Sequence, residues 1–124
     1  MTHLALIIED EDDLSAIFSE ALQVAGFTTE AIKRGDTAMA RLTEVVPEVV
    51  VLDLHLPGVD GKDLMKHIRE DARLAHTQIV VASADAALAQ ALEVNADLTL
   101  LKPISFSQLR DLARRLLPAT AEGE

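Results

Sequence analysis

A chain of 124 residues is long enough for one domain around one core, and 49% apolar composition excludes general disorder. The absence of cysteine excludes a disulfide scaffold and a thiolate metal site. A net charge of −10, with no Arg/Lys stripe interleaved with aromatics, argues against direct nucleic-acid binding. No apolar stretch approaches a membrane span, and Met1-Thr2-His3-Leu4 lacks the basic region and apolar core of a signal peptide. A soluble, cytoplasmic protein without a membrane partner is expected.

Strand-like and helix-like periods alternate along the chain. Leu4 to Ile8 is a short apolar run and predicts a first strand. Leu14, Ile17, Phe18, Ala21 and Leu22 follow at helical spacing, and Gly26 stands where such a helix should end. Phe27 to Ala31 predicts a second strand, polar enough to lie at an edge. Asp36 is placed to cap a helix carrying Ala38, Leu42 and Val45. Val49 to Leu52 is unbroken and β-branched, as in a strand buried on both faces, and Pro57-Gly58 then forces a turn. Asp60-Gly61 opens a third helix with Leu64 and Ile68 inward. Ile79 to Ala82 predicts the fourth strand, and Ala84 to Val94 an Ala-rich helix presenting Leu88 and Leu92. Leu98 to Leu101 predicts the fifth strand. Ser105 caps a last helix with Phe106, Leu109, Ala113 and Leu116 inward, and Pro118 stops it. Residues 1–118 read as one domain and 119–124 as a disordered tail or linker remnant.

This alternation implies an α/β domain of (βα)5 type, a parallel sheet with helices on both faces and right-handed crossovers. The expected strand order is 2-1-3-4-5, with the ligand crevice at the carboxyl edge between strands one and three. Polar residues converge on that edge. Strand one ends in Glu9-Asp10, strand three in Asp53, strand four in Ser83 and strand five in Lys102-Pro103. Taken singly, each has an ordinary explanation. Glu9 and Asp10 suit a helix N-terminus, Ser83 suits a helix cap, and Lys102 suits a solvated turn. Four strands delivering three carboxylates, a hydroxyl and an ammonium to one edge is a different matter.

At this point the chain resembles the receiver domain of two-component response regulators, of the chemotaxis type, along essentially its whole length. The resemblance rests on Glu9-Asp10, on the segment from Val51 to Gly61, on Ser83-Ala84 and on Lys102-Pro103. It implies a flavodoxin-like three-layer sandwich. It also implies that Asp53 is the phosphoacceptor nucleophile, forming an acyl phosphate with a phosphoryl group from a histidine kinase, a phosphotransfer protein or a small donor. Crowded carboxylates with oxygen-only donors suit Mg²⁺, or Mn²⁺ in its place. The resemblance assigns the metal to Asp10, Asp53 and the backbone carbonyl of His55, with Glu9 acting through a metal-bound water. Lys102 would contact a phosphoryl oxygen, Ser83 would turn inward to hydrogen-bond another, and Ala84 would keep the approach open. A cis Lys102–Pro103 bond is implied as well.

The sequence departs from that pattern at Thr99, where receivers usually carry an aromatic residue that swings with the Ser/Thr. Transmission through such a ring is therefore closed, and the loop into the helix starting near Ala84 is the remaining route. Gln78 stands where Pro is frequent, and Asn95 where Gly often precedes Ala-Asp. His55 and Asp85, each two residues beyond a site residue, hold positions that tune phosphate lifetime in the family.

The expected function is that of a signalling switch that catalyses only its own aspartyl phosphorylation and dephosphorylation within a phosphorelay. The alternative is a pseudo-receiver, an interaction module that works without phosphorylation. A haloacid-dehalogenase-like phosphatase needs an acid two residues after its nucleophile, and His55 stands there. Output is expected through protein contacts at the 84–94 helix, strand five and the 105–116 helix, to an unidentified partner or a second copy in a homodimer. No output domain follows Leu117, so the chain acts by such contacts or is cut from a longer one.

Overall fold

The computed structural model describes residues 3–92 and 95–116, the side chain of Ala113 excepted. Strands β1 (Leu4–Ile8), β2 (Thr28–Ile32), β3 (Val49–Asp53), β4 (Gln78–Ser83) and β5 (Leu98–Leu101) form one sheet in the order β2-β1-β3-β4-β5. All neighbouring pairs are parallel, with Leu6 beside Val50, Val51 beside Val80 and Asp53 beside Ala82. The helices are α1 (Asp12–Val24), α2 (Gly35–Leu42), α3 (Gly61–Glu70), α4 (Ala86–Leu92) and α5 (Phe106–Leu116), with a 3₁₀ turn at Ala72–Leu74. Among the described residues no helix is long and apolar enough to cross a membrane.

Strand alternation divides the core between the two faces of the sheet. Ile7, Val49, Val51 and Val80 pack with Phe18, Leu22 and Leu109 of α1 and α5. Leu6, Val50, Leu52 and Val81 pack with Leu42, Leu64 and Ile68 of α2 and α3. Leu64 and Ile68 are fully buried, and each such side chain contributes about 1.5–3 kcal/mol. Asp60 caps α3 through its carboxylate, which accepts from the Lys62 N–H at 2.9 Å.

Several local expectations change. Ile17 is 38% exposed while Ser15 is buried. At 100° per residue Ile17 lies roughly 90° from the mean direction of Leu14, Phe18, Ala21, Leu22 and Ala25, too far round to reach the core. Asp36 does not cap α2. Arg34 holds the N-cap position, the Gly35 N–H donates to the Pro57 carbonyl at 2.8 Å, and the helix so begins one residue before Asp36. The Asp36 carboxylate accepts from Arg34 instead, and Val45 lies beyond the helix end. Strand β2 runs one residue later than expected, because Phe27 turns down into the α1 core. Helix α4 starts at Ala86, since Asp85 and not Ser83 caps it, accepting from the Leu88 N–H at 3.0 Å. Ser105 caps α5 as expected, accepting from the Gln108 N–H at 3.1 Å. Val94, Leu117, Pro118 and the expected tail at 119–124 lie outside the described residues.

Candidate functional site

Glu9 follows β1 directly, its N–H donating to the Ile32 carbonyl at 2.9 Å, and it is 1% exposed. Asp53 is the last residue of β3 and 5% exposed, while Asp10 is open to solvent. One carboxylate oxygen from each of the three lies within 4.8 Å of the others. Lys102, just past β5, continues the ladder by donating its N–H to the Ser83 carbonyl at 2.9 Å. Its Nζ reaches Glu9 Oε1 at 3.0 Å and Asp53 Oδ1 at 3.6 Å. The Lys102–Pro103 peptide bond is cis.

Two glycines shape the segment after Asp53. Gly58 has φ +86°, and a Cβ there would meet the Asp36 side chain at 2.7 Å. A Cβ on Gly61 would lie 2.7 Å from the Asp53 carbonyl oxygen, so only glycine lets α3 begin against the residue it positions. The His55 N–H donates to Asp53 Oδ1 at 3.2 Å, a local turn that aims the carboxylate along the crevice.

Burial pushes the Glu9 carboxyl up to about 7, the Lys102 hydrogen bond opposes that rise, and the charge of Asp53 adds to it. For Lys102, burial works against the charge, yet the hydrogen bond to Glu9 and the nearby carboxylates outweigh it and raise its pKa. Three carboxylates against one ammonium leave two negative charges when all are ionised. An all-oxygen donor set with that excess fits one hard divalent cation, and Asp10, Asp53 and Glu9 are the side chains that could hold it.

Ser83, the last residue of β4, is fully buried, and its Oγ accepts from the Asp85 N–H at 3.0 Å. Ala84 is exposed beside it. Thr99 is half-buried in β5 and lines a hollow of about 310 Å³ with Ala86, Ala89, Gln90 and Leu101.

A family profile described as the response regulator receiver domain matches residues 5–114. The chain belongs to that family. The receiver is 32% identical over 114 residues to the phosphate regulon transcriptional regulatory protein PhoB of Rhizobium meliloti, covering 90% of this chain and 50% of that protein. It spans about half or less of the length of the curated relatives it matches. Among solved structures it is similar to a response regulator of Chloroflexus aurantiacus, with TM-score 0.83, 25% identity and coverage of 94% of this chain and 98% of that one. It also shares its fold with the Thermotoga maritima response regulator TrrA in complex with Mg²⁺-BeF, with TM-score 0.82, 23% identity and coverage of 94% and 100%.

In this receiver Glu9, Asp10, Asp53 and Lys102 come together, with Ser83 on the adjoining strand end. His55 reaches Asp53 through its N–H, and Asp85 serves as a helix cap. Sequence reasoning did not show that Glu9 lies nearer to Lys102 than Asp53 does. It also missed the close approach at Gly61, although a glycine directly after a capping aspartate was a visible signal.

Proposed function

We propose that this receiver accepts a phosphoryl group on Asp53 from a phosphohistidine of a sensor kinase or phosphotransfer protein, and that the modification switches a protein-contacting surface. The observation that carries the reading is the buried Asp53 carboxylate at the carboxyl edge, grouped with buried Glu9 and exposed Asp10 and 3.6 Å from one ammonium. Oδ1 is engaged by the His55 N–H and faces Lys102, which leaves Oδ2 as the attacking oxygen. A P–O bond forms to Asp53 as the P–N bond to the imidazole breaks, and the leaving nitrogen takes its proton from solvent. Lys102 stabilises charge on the phosphoryl oxygens, as a charge-assisted contact does. Mg²⁺ or Mn²⁺, held by Asp10, Asp53 and the His55 carbonyl with Glu9 nearby, would supply screening between carboxylate and phosphoryl group.

Switching follows from the Ser83 hydroxyl. When it turns to a phosphoryl oxygen it gives up the Asp85 N–H, and Asp85 is the cap of α4. The signal so enters α4 through its own N-terminus without an aromatic at Thr99. Output contacts then form at α4, β5 and α5, with a partner or with a second copy. The chain catalyses only its own phosphorylation and dephosphorylation, and water attack on the acyl phosphate resets it.

The test is intact mass after incubation with acetyl phosphate and Mg²⁺, beside Asp53→Ala. One added phosphoryl group that requires both Mg²⁺ and Asp53 supports the reading. No adduct, together with unchanged NMR spectra in beryllofluoride, would make the chain a phosphorylation-independent interaction module.

A further inference from the structure

Most described basic side chains are paired: Lys33 with Asp12, Arg34 with Asp36, Arg41 with Glu30, Arg73 with Asp71 and Lys102 with Glu9. On α3 the pattern differs. Lys62 and Lys66, one helical turn apart, are exposed and make no ion pair with a described carboxylate. Both line a groove of about 300 Å³ that runs from α3 to Leu92 and Asn95. Met65, 2% exposed, and the half-buried Leu92 supply its apolar floor.

The groove is held in shape from within. The Arg69 guanidinium donates to Asp97 at 2.8 Å, to the Asn95 carbonyl at 2.9 Å and to the Thr77 carbonyl at 3.1 Å. It therefore ties α3 to Asn95 and Asp97 and leaves Lys62 and Lys66 as the groove's cations with no ion pair among the described residues, with Glu70 one turn beyond Lys66. A preformed groove spares an incoming segment the cost of opening it.

We propose that this groove docks an acidic segment of a partner protein, one apolar side chain seated over Met65 and Leu92 and flanking carboxylates on Lys62 and Lys66. Charge complementarity selects this occupant. On a chain of net charge −10 an acidic segment is repelled by most of the surface, so two lysines without an ion pair among the described residues, beside an apolar floor, define both place and register. A phosphate backbone would meet the same repulsion with only two cations in return. The site needs no phosphoryl group on Asp53, so it stands apart from the reading above.

The probe is the synthetic peptide acetyl-Glu-Asp-Glu-Leu-Phe-Glu-Asp-Glu-amide, titrated into the ¹⁵N-labelled chain. Two controls replace its acids by Lys or its Leu-Phe by Ser-Ser. The expected result is amide shifts over residues 62–69, Leu92 and Asn95, with affinity falling about tenfold in Lys62→Glu/Lys66→Glu and with added salt. Lys62→Gln/Lys66→Gln should be intermediate, and both control peptides should bind more weakly. The proposal is overturned by no binding at millimolar peptide or by shifts that map elsewhere. Equal binding of the basic peptide, or an affinity indifferent to the double charge reversal, overturns it too.

Discussion

The two edges of the sheet handle buried polarity in opposite ways. At the amino edge the polar groups are paired with one another, apart from one buried oxygen, Glu48 Oε2. Arg69 serves Thr77, Asn95 and Asp97, Asp97 accepts the Ile79 N–H at 2.7 Å, the Thr77 hydroxyl donates to the Pro47 carbonyl at 2.7 Å, and His3 lies 2.7 Å from Glu48. At the carboxyl edge three carboxylates share one ammonium, and Glu9 is held up to about 7 by burial and by Asp53. The first edge pairs nearly all of its charge within the fold. The second leaves an imbalance that an added cation or a covalent change can answer, which marks it as the working edge.

Replacing Arg69 by Ala should have the largest effect on stability, about 2–3 kcal/mol, because one side chain holds three acceptors at the amino edge. Urea unfolding measures it. Acetyl-phosphate labelling of the folded variant should be unchanged, and lost labelling would break the division between the edges.

Glu9→Gln should act in the opposite sense. A carboxyl raised from 4.5 to about 7 stabilises the fold fully below 4.5, and that contribution is lost as pH rises through about 7. Without divalent cations the parent chain should lose on the order of 2 kcal/mol across that window from this group, and the variant should not. Unfolding curves at pH 5 and pH 8 in EDTA decide it, and parallel profiles would remove the imbalance argument.

Saturating Mg²⁺ should stabilise the parent chain by about 1 kcal/mol, read as a higher Tm, and Asp10→Asn should abolish the gain. A gain that survives in Asp10→Asn places the cation elsewhere. The smallest effect belongs to the flanks. His55→Ala and Asp85→Ala should each change the lifetime of the phosphoprotein a few-fold, followed by intact mass over time. Asp85→Ala should also loosen α4 by about 1 kcal/mol, since it removes a cap.

Much of this was legible in the chain. Five apolar runs and their spacing gave the strands and their order, and strand ends brought Glu9, Asp10, Asp53, Ser83 and Lys102 to one edge. What stayed hidden depends on contacts between distant segments. Glu9 and Lys102 are 93 residues apart, and no local pattern says which carboxylate the ammonium prefers. Asp36 looked like a cap because nothing nearby shows that Pro57 takes the Gly35 N–H. Ser83 and Asp85 both carry cap-forming oxygens, and only the fold assigns the cap to Asp85 and the Ser83 oxygen to the Asp85 N–H. The Arg69 clasp likewise joins α3 to residues beyond α4.

Strand β3 belongs to both cores, with Val49 and Val51 on one face and Val50 and Leu52 on the other. A slip of one residue would exchange its faces and at the same step carry Asp53 out of reach of Lys102. Packing and site geometry are thus checked by a single alignment, so folding proofreads the position of Asp53. A chain that has closed its two cores has Asp53 beside Lys102, and no well-packed species is left in which the two are apart.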